Sequence, residues 1–371
     1  MRQLIIKFMR ILRAVKIRKG YMKLYSQIGL VNKNGGTLEA DWLAKWKVLD
    51  ESVSLQSFRI FSKYIEADMR IVPLETAAIY IDHCLNSGNY ISFLGDKNLF
   101  DSIVPEANFP KTILRNMNGF FYDSKYVLLG AMDDAALAAL FSTYDSIIVK
   151  PAIDSGSGIK VALFRKKSGV FIDKSGLILS KEVLDSQYGS NYIIQECMQQ
   201  MAFMASFNPS SVNTIRVMTY RSVKDDNVKF CNAVLRIGGK DSDIDNAHAG
   251  GKFCGIDQNG VLGKYVCDFL GRKDTIFNGV DFTREKTIPN YDTIKTFSIN
   301  VASKIPYMRL LALDIMIDAS GTPRLIEFNC NNFSYWLFQF TNGCAYGQYT
   351  DEVIEYAIKN HHLFPMKAIS F

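Results

Sequence analysis

The stretch "LLALDIMIDASGTPRLIEFNCN", Leu310 to Asn331, decides the fold. Two apolar runs flank Asp318-Ala319-Ser320-Gly321-Thr322-Pro323, a turn-forming sequence, so the segment reads as two strands joined in a hairpin. Side chains alternate across a strand. Glu327 and Asn329 therefore share one face, and Ile326 and Phe328 point into the core. With Asp318 paired to Pro323, Asp314 lies directly across from Glu327. Like charges in that position destabilise a sheet. A hard divalent cation is the natural compensation, because two carboxylates and one amide oxygen form the small oxygen-only set by which Mg²⁺ is held beside phosphate. The plain alternative is an exposed hairpin with solvated acids.

A site for phosphate is readable upstream. "IIVKPAIDSGSGIKV" puts Lys150 at the end of an apolar strand, ahead of Ser155, Gly156, Ser157 and Gly158. Small residues let backbone N–H groups approach an anion, and Lys150 adds a point charge. An ordinary glycine-rich hairpin would look the same. Lys160 reads as a second charge or as a solvated strand residue. Lys97 in "FLGDKNLF" and Arg216 in "NTIRVMTY" are cations in apolar settings. An arginine so placed calls for an anionic partner, either a phosphate or a structural carboxylate.

The totals limit the alternatives. The chain has 371 residues, 48% of them apolar, enough for a large core in two or three lobes. The seven cysteines are scattered and odd in number, which argues against a disulfide framework or thiolate zinc site and for a reducing cytosol. Four histidines make histidine-based metal chemistry a poor fit. No 18-residue apolar run is present, so no spanning helix is expected. Net charge is +6, and residues 1–38 contain Arg2, Lys7, Arg10, Arg13, Lys16, Arg18, Lys19, Lys23 and Lys33 before the first acid, Glu39. Leu4, Ile5, Phe8, Ile11, Leu12 and Val15 lie between them at close to helical spacing. Such a segment suits peripheral contact with an anionic membrane through residues 1–23, or a helix packed on the body with its charges solvated. Without an aromatic-basic motif, no nucleic-acid partner is expected.

Along the chain, helical spacing marks residues 52–66 and 75–86, the latter stopped by Asn86-Ser87-Gly88. From 109 onward short strands alternate with helices: "FPKTIL", a helix capped by Asp133, "SIIVKP", "VALFRK", a helix near 180–187, "YIIQEC", "NTIRVMTY" and "KFCNAVLRIG". A helix over 290–304, the 310–329 hairpin and a last helix near 350–360 complete the reading. The class is α+β, with strands joined by hairpins rather than βαβ crossovers. Neither GxGxxG nor GxxxxGK[ST] occurs.

Taken in order, Lys in "GDK", "VKP" with its Ser/Gly loop, "IIQE", "NTIR", "LDIMID" and "IEFN" resemble the ATP-grasp superfamily. Within it the chain is most similar to the sugar-transfer-associated and teichuronopeptide-biosynthesis-like members, which also carry a "DNAHAGG" after a strand ending "LRIGG". The resemblance covers about 90–360. It implies an ATP-grasp fold of two α+β lobes gripping ATP: residues 91–197 as the small lid lobe and 198–371 as the large lobe, after a mainly helical, basic region 1–90. By resemblance Lys97 and Lys150 contact the nucleotide phosphates, and Ser155–Gly158 close over them. Gln195 and Glu196 form the adenine hinge, and Asp314, Glu327 and Asn329 hold Mg²⁺. Arg216 supports the transferred phosphate. Gln199 or Gln200 is a candidate for ribose. Asn246, also a cofactor-contacting candidate, lies with His248, Gly250 and Gly251 near the acceptor, and Arg236 serves there too; a loop histidine such as His248 reads equally as a surface residue. The sequence departs from the family after "EFN", where "CNNFSYWLFQFTNG" is unusually aromatic; Phe333, Tyr335, Trp336 and Phe338 read mainly as core.

The resemblance implies a cytoplasmic, ATP- and Mg²⁺-dependent carboxylate–amine ligase acting through an acyl phosphate, with an amino acid or amine and a sugar as substrates in surface polysaccharide synthesis. A phosphotransferase on the same fold and a non-catalytic nucleotide-binding protein are the competing readings.

Overall fold

The computed structural model describes residues 2–32, 36–153, 158, 160–243 and 245–361. Three helices open the chain: α1 (Arg2–Ile28), α2 (Gly36–Lys47) and α3 (Gln56–Phe61). Fifteen strands follow among the described residues. The first six are β1 (Thr112–Met117), β2 (Phe120–Tyr122), β3 (Ser146–Pro151), β4 (Ala162–Lys167), β5 (Val170–Ile172) and β6 (Asn191–Glu196). They form one antiparallel sheet in the order β2-β1-β6-β3-β4-β5.

The second sheet uses β7 (Thr214–Arg221), β8 (Val228–Ile237), β9 (Lys252–Ile256), β10 (Val266–Cys267) and β11 (Lys273–Asp274). After a separate hairpin of β12 (Ile276–Phe277) and β13 (Val280–Asp281), it is completed by β14 (Leu310–Ile317) and β15 (Pro323–Asn329). Its order is β11-β10-β9-β8-β7-β14-β15, again antiparallel throughout. The hairpin connectivity expected from sequence is what the ladders show.

The opening hairpin holds a correction. Pro323 pairs with Ile317, not with Asp318, so the turn end sits one residue off the expected register. The register then shifts between Asp314 and Ile315, and Asp314 does face Glu327. The extra residue is Ile326: a β-bulge places two residues of β15 opposite one of β14. Leu325 and Phe328 are therefore buried, and Ile326, expected in the core, is only half-buried.

Alternation divides the seven-stranded sheet into two faces. Ile215, Val217, Leu235, Leu311, Leu313 and Ile315 enter one core, under the helix Tyr291–Ser303. Met218, Tyr220, Val234, Leu310 and Ala312 enter another. This second core includes Tyr25, Trp42, Trp46, Phe58 and Phe61 from the N-terminal helices, together with Phe333, Phe338 and Val353. The core of the six-stranded sheet, Ile113 to Ile194, stays within 91–197, but of the other two cores one crosses the expected division at 90 and the other the division at 197. The N-terminal helices share a core with the large sheet, and Leu94, Phe100 and Val104 pack on that sheet's other face. The aromatic tail after β15 is core at Phe333, Tyr335 and Phe338, all nearly inaccessible, while Trp336 is half-buried against Phe253 and Phe269.

Candidate active site

On the Met218–Ala312 face, the apolar half gives way to a charged half. Asp314 pairs with Arg216 across β14–β7 and with Glu327 across β14–β15, so alternation brings all three side chains to one surface. Arg216 grips Asp314 with two bonds, Nε to Oδ1 at 2.8 Å and Nη2 to Oδ2 at 2.6 Å. Arg236, from β8, reaches Asp314 Oδ2 at 3.1 Å and Asp245 Oδ1 at 3.1 Å. Asp245 also accepts from the Thr214 amide at 3.1 Å and from the Thr214 hydroxyl. Burial pushes the Asp314 carboxyl up, but the pull of Arg216 and Arg236 outweighs it and holds the group down at about 2. The anionic partner that the sequence demanded for Arg216 is thus Asp314 itself.

Lysines from two other elements complete the cluster. Lys97, on a 3₁₀ turn, donates its backbone N–H to Ala152 just past β3 at 2.9 Å, and its ammonium is 3.7 Å from Glu327 Oε1. Lys150 lies on β3, in the other sheet, and is 7% exposed. Among the described residues it forms no salt bridge. Desolvation lowers its pKa to about 8, with Lys97 pushing the same way and Glu327 opposing. A buried, charge-starved lysine facing a second lysine is an arrangement suited to an anionic ligand.

Of the residues read from sequence, Lys97, Lys150, Arg216, Arg236, Asp314, Glu327 and Asn329 converge here. Asn329 faces Asp314, its amide 3.4 Å from Oδ2. The donor set of Asp314, Glu327 and Asn329 is all oxygen, and four cationic side chains outnumber the carboxylates of Asp314, Glu327 and Asp245. That balance fits a polyphosphate arriving with a divalent cation. Glu327 and Asn329 are the readier donors, because Asp314 is held by two arginines. Among the described residues no cluster of three or more histidine, cysteine, aspartate or glutamate side chains forms a ready metal cage.

Other candidates stand apart. The Gln195 amide donates to the Pro110 carbonyl at 3.1 Å, and Glu196 accepts from the Lys111 N–H at 3.0 Å, so both side chains fasten β6 to the start of β1. Gln200 is committed to the loop 208–213, donating to Asn208 and Ser211 and accepting from Asn213; this removes it as a ribose ligand. Gln199 is exposed, its carbonyl accepting from the Ala319 N–H. Ser155, Gly156 and Ser157 lie outside the described residues, and Gly158 has φ +69°. Lys160 donates to the Gln187 carbonyl at 2.7 Å.

Asn246 caps the 3₁₀ turn Ala247–Ala249 through the His248 N–H. The following glycines have a steric cause: a Cβ on Gly251 would sit 2.7 Å from Asn246 O and 2.8 Å from Ile237 O, and Gly250 has φ +83°. His248 is exposed, its ring centroid 4.0 Å from that of Phe269 with the planes tilted by 45°, beside a cavity of about 630 Å³. Burial and then Arg236 lower its pKa. Asp245 was missed in the sequence. Its signal was its position directly before Asn246, but its partner Arg236 is found only through the fold.

Residues 77–364 match the family described as sugar-transfer associated ATP-grasp. The chain belongs to that family. Among solved structures it is similar to D-cycloserine synthetase DcsG (TM-score 0.44, 9% identity, 75% of this chain and 73% of that one). It is also similar to D-alanine–D-alanine ligase from Bacillus anthracis (TM-score 0.39, 14% identity, 73% and 69%). The ATP-grasp ligase PsnB with its minimal precursor has a TM-score of 0.38 at 14% identity. The match covers 73% of this chain and 64% of PsnB, so this ATP-grasp chain spans under two thirds of that protein's length. No curated protein matches it.

Proposed function

We propose that the protein is an ATP-dependent carboxylate–amine ligase that activates a carboxylate as an acyl phosphate and forms an amide. The observation that carries this is the convergence of Lys150 from one sheet with Lys97, Glu327, Asp314, Arg216 and Arg236 around the other. Phosphoryl transfer needs alignment and charge neutralisation more than a protein nucleophile, and this cluster supplies cations and oxygen donors. Lys97 and Lys150 bind the phosphates. Arg216 and Arg236, fixed by Asp314, present the remaining N–H groups to charge developing on the transferred group. Glu327 and Asn329, with Asp314, would hold Mg²⁺, which supplies charge neutralisation at the phosphate oxygens. The backbone where β6 leads into 197–201 borders the adenine; that segment is tied to the β14–β15 hairpin by the Met201 N–H to Ile317 O bond of 2.9 Å. Ser155–Gly158 act as the lid that keeps water from the acyl phosphate.

The family's sugar-transfer association supports a sugar, a uronic acid or amino sugar, as one substrate in surface polysaccharide synthesis, in the cytoplasm. Peripheral membrane contact suits α1, whose Ile5, Phe8, Ile11, Leu12 and Val15 are exposed. No described helix is long and apolar enough to cross a membrane. The test is a screen of amino acids against acidic and amino sugars, read for both ADP and inorganic phosphate. Equal release of the two is expected. ADP without free phosphate, the phosphoryl group ending on an acceptor, would refute the ligase reading.

A further inference from the structure

A cavity of about 800 Å³ opens between α1 and Cys330–Asn332, the residues that directly follow the donor strand. Chain geometry alone keeps the Asn331 Cα within about 7.6 Å of the Asn329 Cα. The cavity thus adjoins the cluster but lies mostly on residues that the phosphate chemistry leaves unused.

Its walls differ in character. Arg13 and Lys16 stand at the α1 side, exposed and without a salt bridge to any described residue. The next arginine of the helix, Arg18, is by contrast bound to Asp50 at 2.6 Å. Ile17, Tyr21 and Leu24, half-buried, give that wall an apolar surface. The facing wall is built on a π-helical turn, Ala77–Ile81, a rare irregularity that is frequent at functional sites. It delivers Asp82, whose carboxylate accepts from the Tyr335 hydroxyl at 2.5 Å. Burial pushes Asp82 up to about 7 and His83 down to about 4, so at neutral pH a neutral imidazole and a half-ionised carboxyl face the two full positive charges of Arg13 and Lys16. At the strand end, Asn332 has φ +53° and Ser334 φ +57°. Asn332 lines the cavity, whereas the Ser334 hydroxyl accepts from Arg216 Nη1 at 3.3 Å, so this left-handed turn runs from the cavity to the charged cluster.

We propose that this cavity is the binding site for a small hydroxylated organic anion, with Arg13 and Lys16 holding its carboxylate or phosphate and Asn331 and Asn332 its hydroxyl groups. That the bound molecule is a substrate rests on the ligase reading; that the cavity binds it does not. The membrane reading of α1 concerns a largely separate face. At 100° per residue, Phe8, Leu12 and Val15 point about 80° or more away from Arg13, Ile17 and Gly20, and Lys16 sits at the border between the two, about 40° from Leu12.

The test uses the full chain, without ATP, and calorimetric titration of D-glucuronate and glucose 1-phosphate against neutral D-glucose. Wild type should bind one or both anions at least tenfold better than glucose, and which one wins identifies carboxylate or phosphate. Arg13→Glu/Lys16→Glu should lose at least tenfold in anion affinity. Lys19→Glu/Lys23→Glu, the same charge change on α1 away from the cavity, should lose little. Equal losses in both pairs, or no preference for anions over glucose, overturn the proposal. ADP binding is measured alongside. Wild type that binds the anion but no ADP keeps the cavity site and removes the ligase reading.

Discussion

Lys150 is a buried cation with no salt bridge among the described residues. A buried ammonium held near a pKa of about 8 loses its proton far more readily than a surface lysine. If phosphate binding requires the protonated form, affinity is full below that pKa and falls as pH rises through it. Between pH 7 and pH 9 the protonated fraction drops about tenfold, so the Kd for ADP should rise about tenfold over that range. Lys150→Met should bind more weakly at pH 7 and show a flat profile; a wild-type profile equally flat would show that Lys150 does not meet the phosphates. Glu327 makes the opposite case. Its ion pair with Lys97 is long at 3.7 Å, and its side chain is 27% accessible. Glu327→Gln should therefore leave the urea midpoint almost unchanged while abolishing Mg²⁺-dependent ADP formation. Near-normal turnover would remove Glu327 from the cation site.

At the scale of elements, the bulge in β15 is the device that aims Glu327. Ile326 and Glu327 together face Asp314, and the hairpin is regular on either side of them. Bulges next to active sites commonly redirect a side chain. Deleting Ile326 would restore an unbroken ladder: Leu325 and Phe328 stay on the buried face, and Glu327 stays opposite Asp314 but in plain strand geometry. The deletion variant should unfold cooperatively near the wild-type midpoint, yet lose turnover by about 100-fold, the cost typical of a small misplacement in a reacting site. Unimpaired turnover would make the bulge incidental. The same element shows what could be read in the sequence. The boundaries of β3, β14 and β15 and the cap at Asp133 were legible because alternation, turn residues and capping are local signals. The bulge was not, since both registers bring Asp314 opposite Glu327. Nor was the Asp245–Arg236–Asp314 chain of charges, which joins a loop to two strands that only the sheet brings together. Arg216 was legible as an arginine needing an anion, but only the β7–β14 pairing identified which one.

Across the whole molecule, α1 joins the core at one end and solvent at the other. Tyr25 is fully buried and Tyr21, Leu24 and Ile28 pack around it, whereas Ile5, Phe8, Ile11, Leu12 and Val15 are all exposed. An apolar stripe with basic neighbours and no covering element among the described residues suits the headgroup boundary of an anionic bilayer, where buried apolar area and charge add. Removing residues 1–12 should take away most of that stripe while sparing Arg13, Lys16 and the Arg18–Asp50 pair. The shortened chain should keep its thermal midpoint and its anion affinity, because neither rests on the deleted turns. Its co-sedimentation with phosphatidylserine-containing vesicles should fall several-fold, and the wild-type binding should weaken as salt is raised, since the attraction is partly electrostatic. Full and shortened chains sedimenting alike would return the first half of α1 to the role of a solvated extension. A drop in anion affinity on the same truncation would instead mean that the helix needs its first turns to hold Arg13 and Lys16 over the cavity.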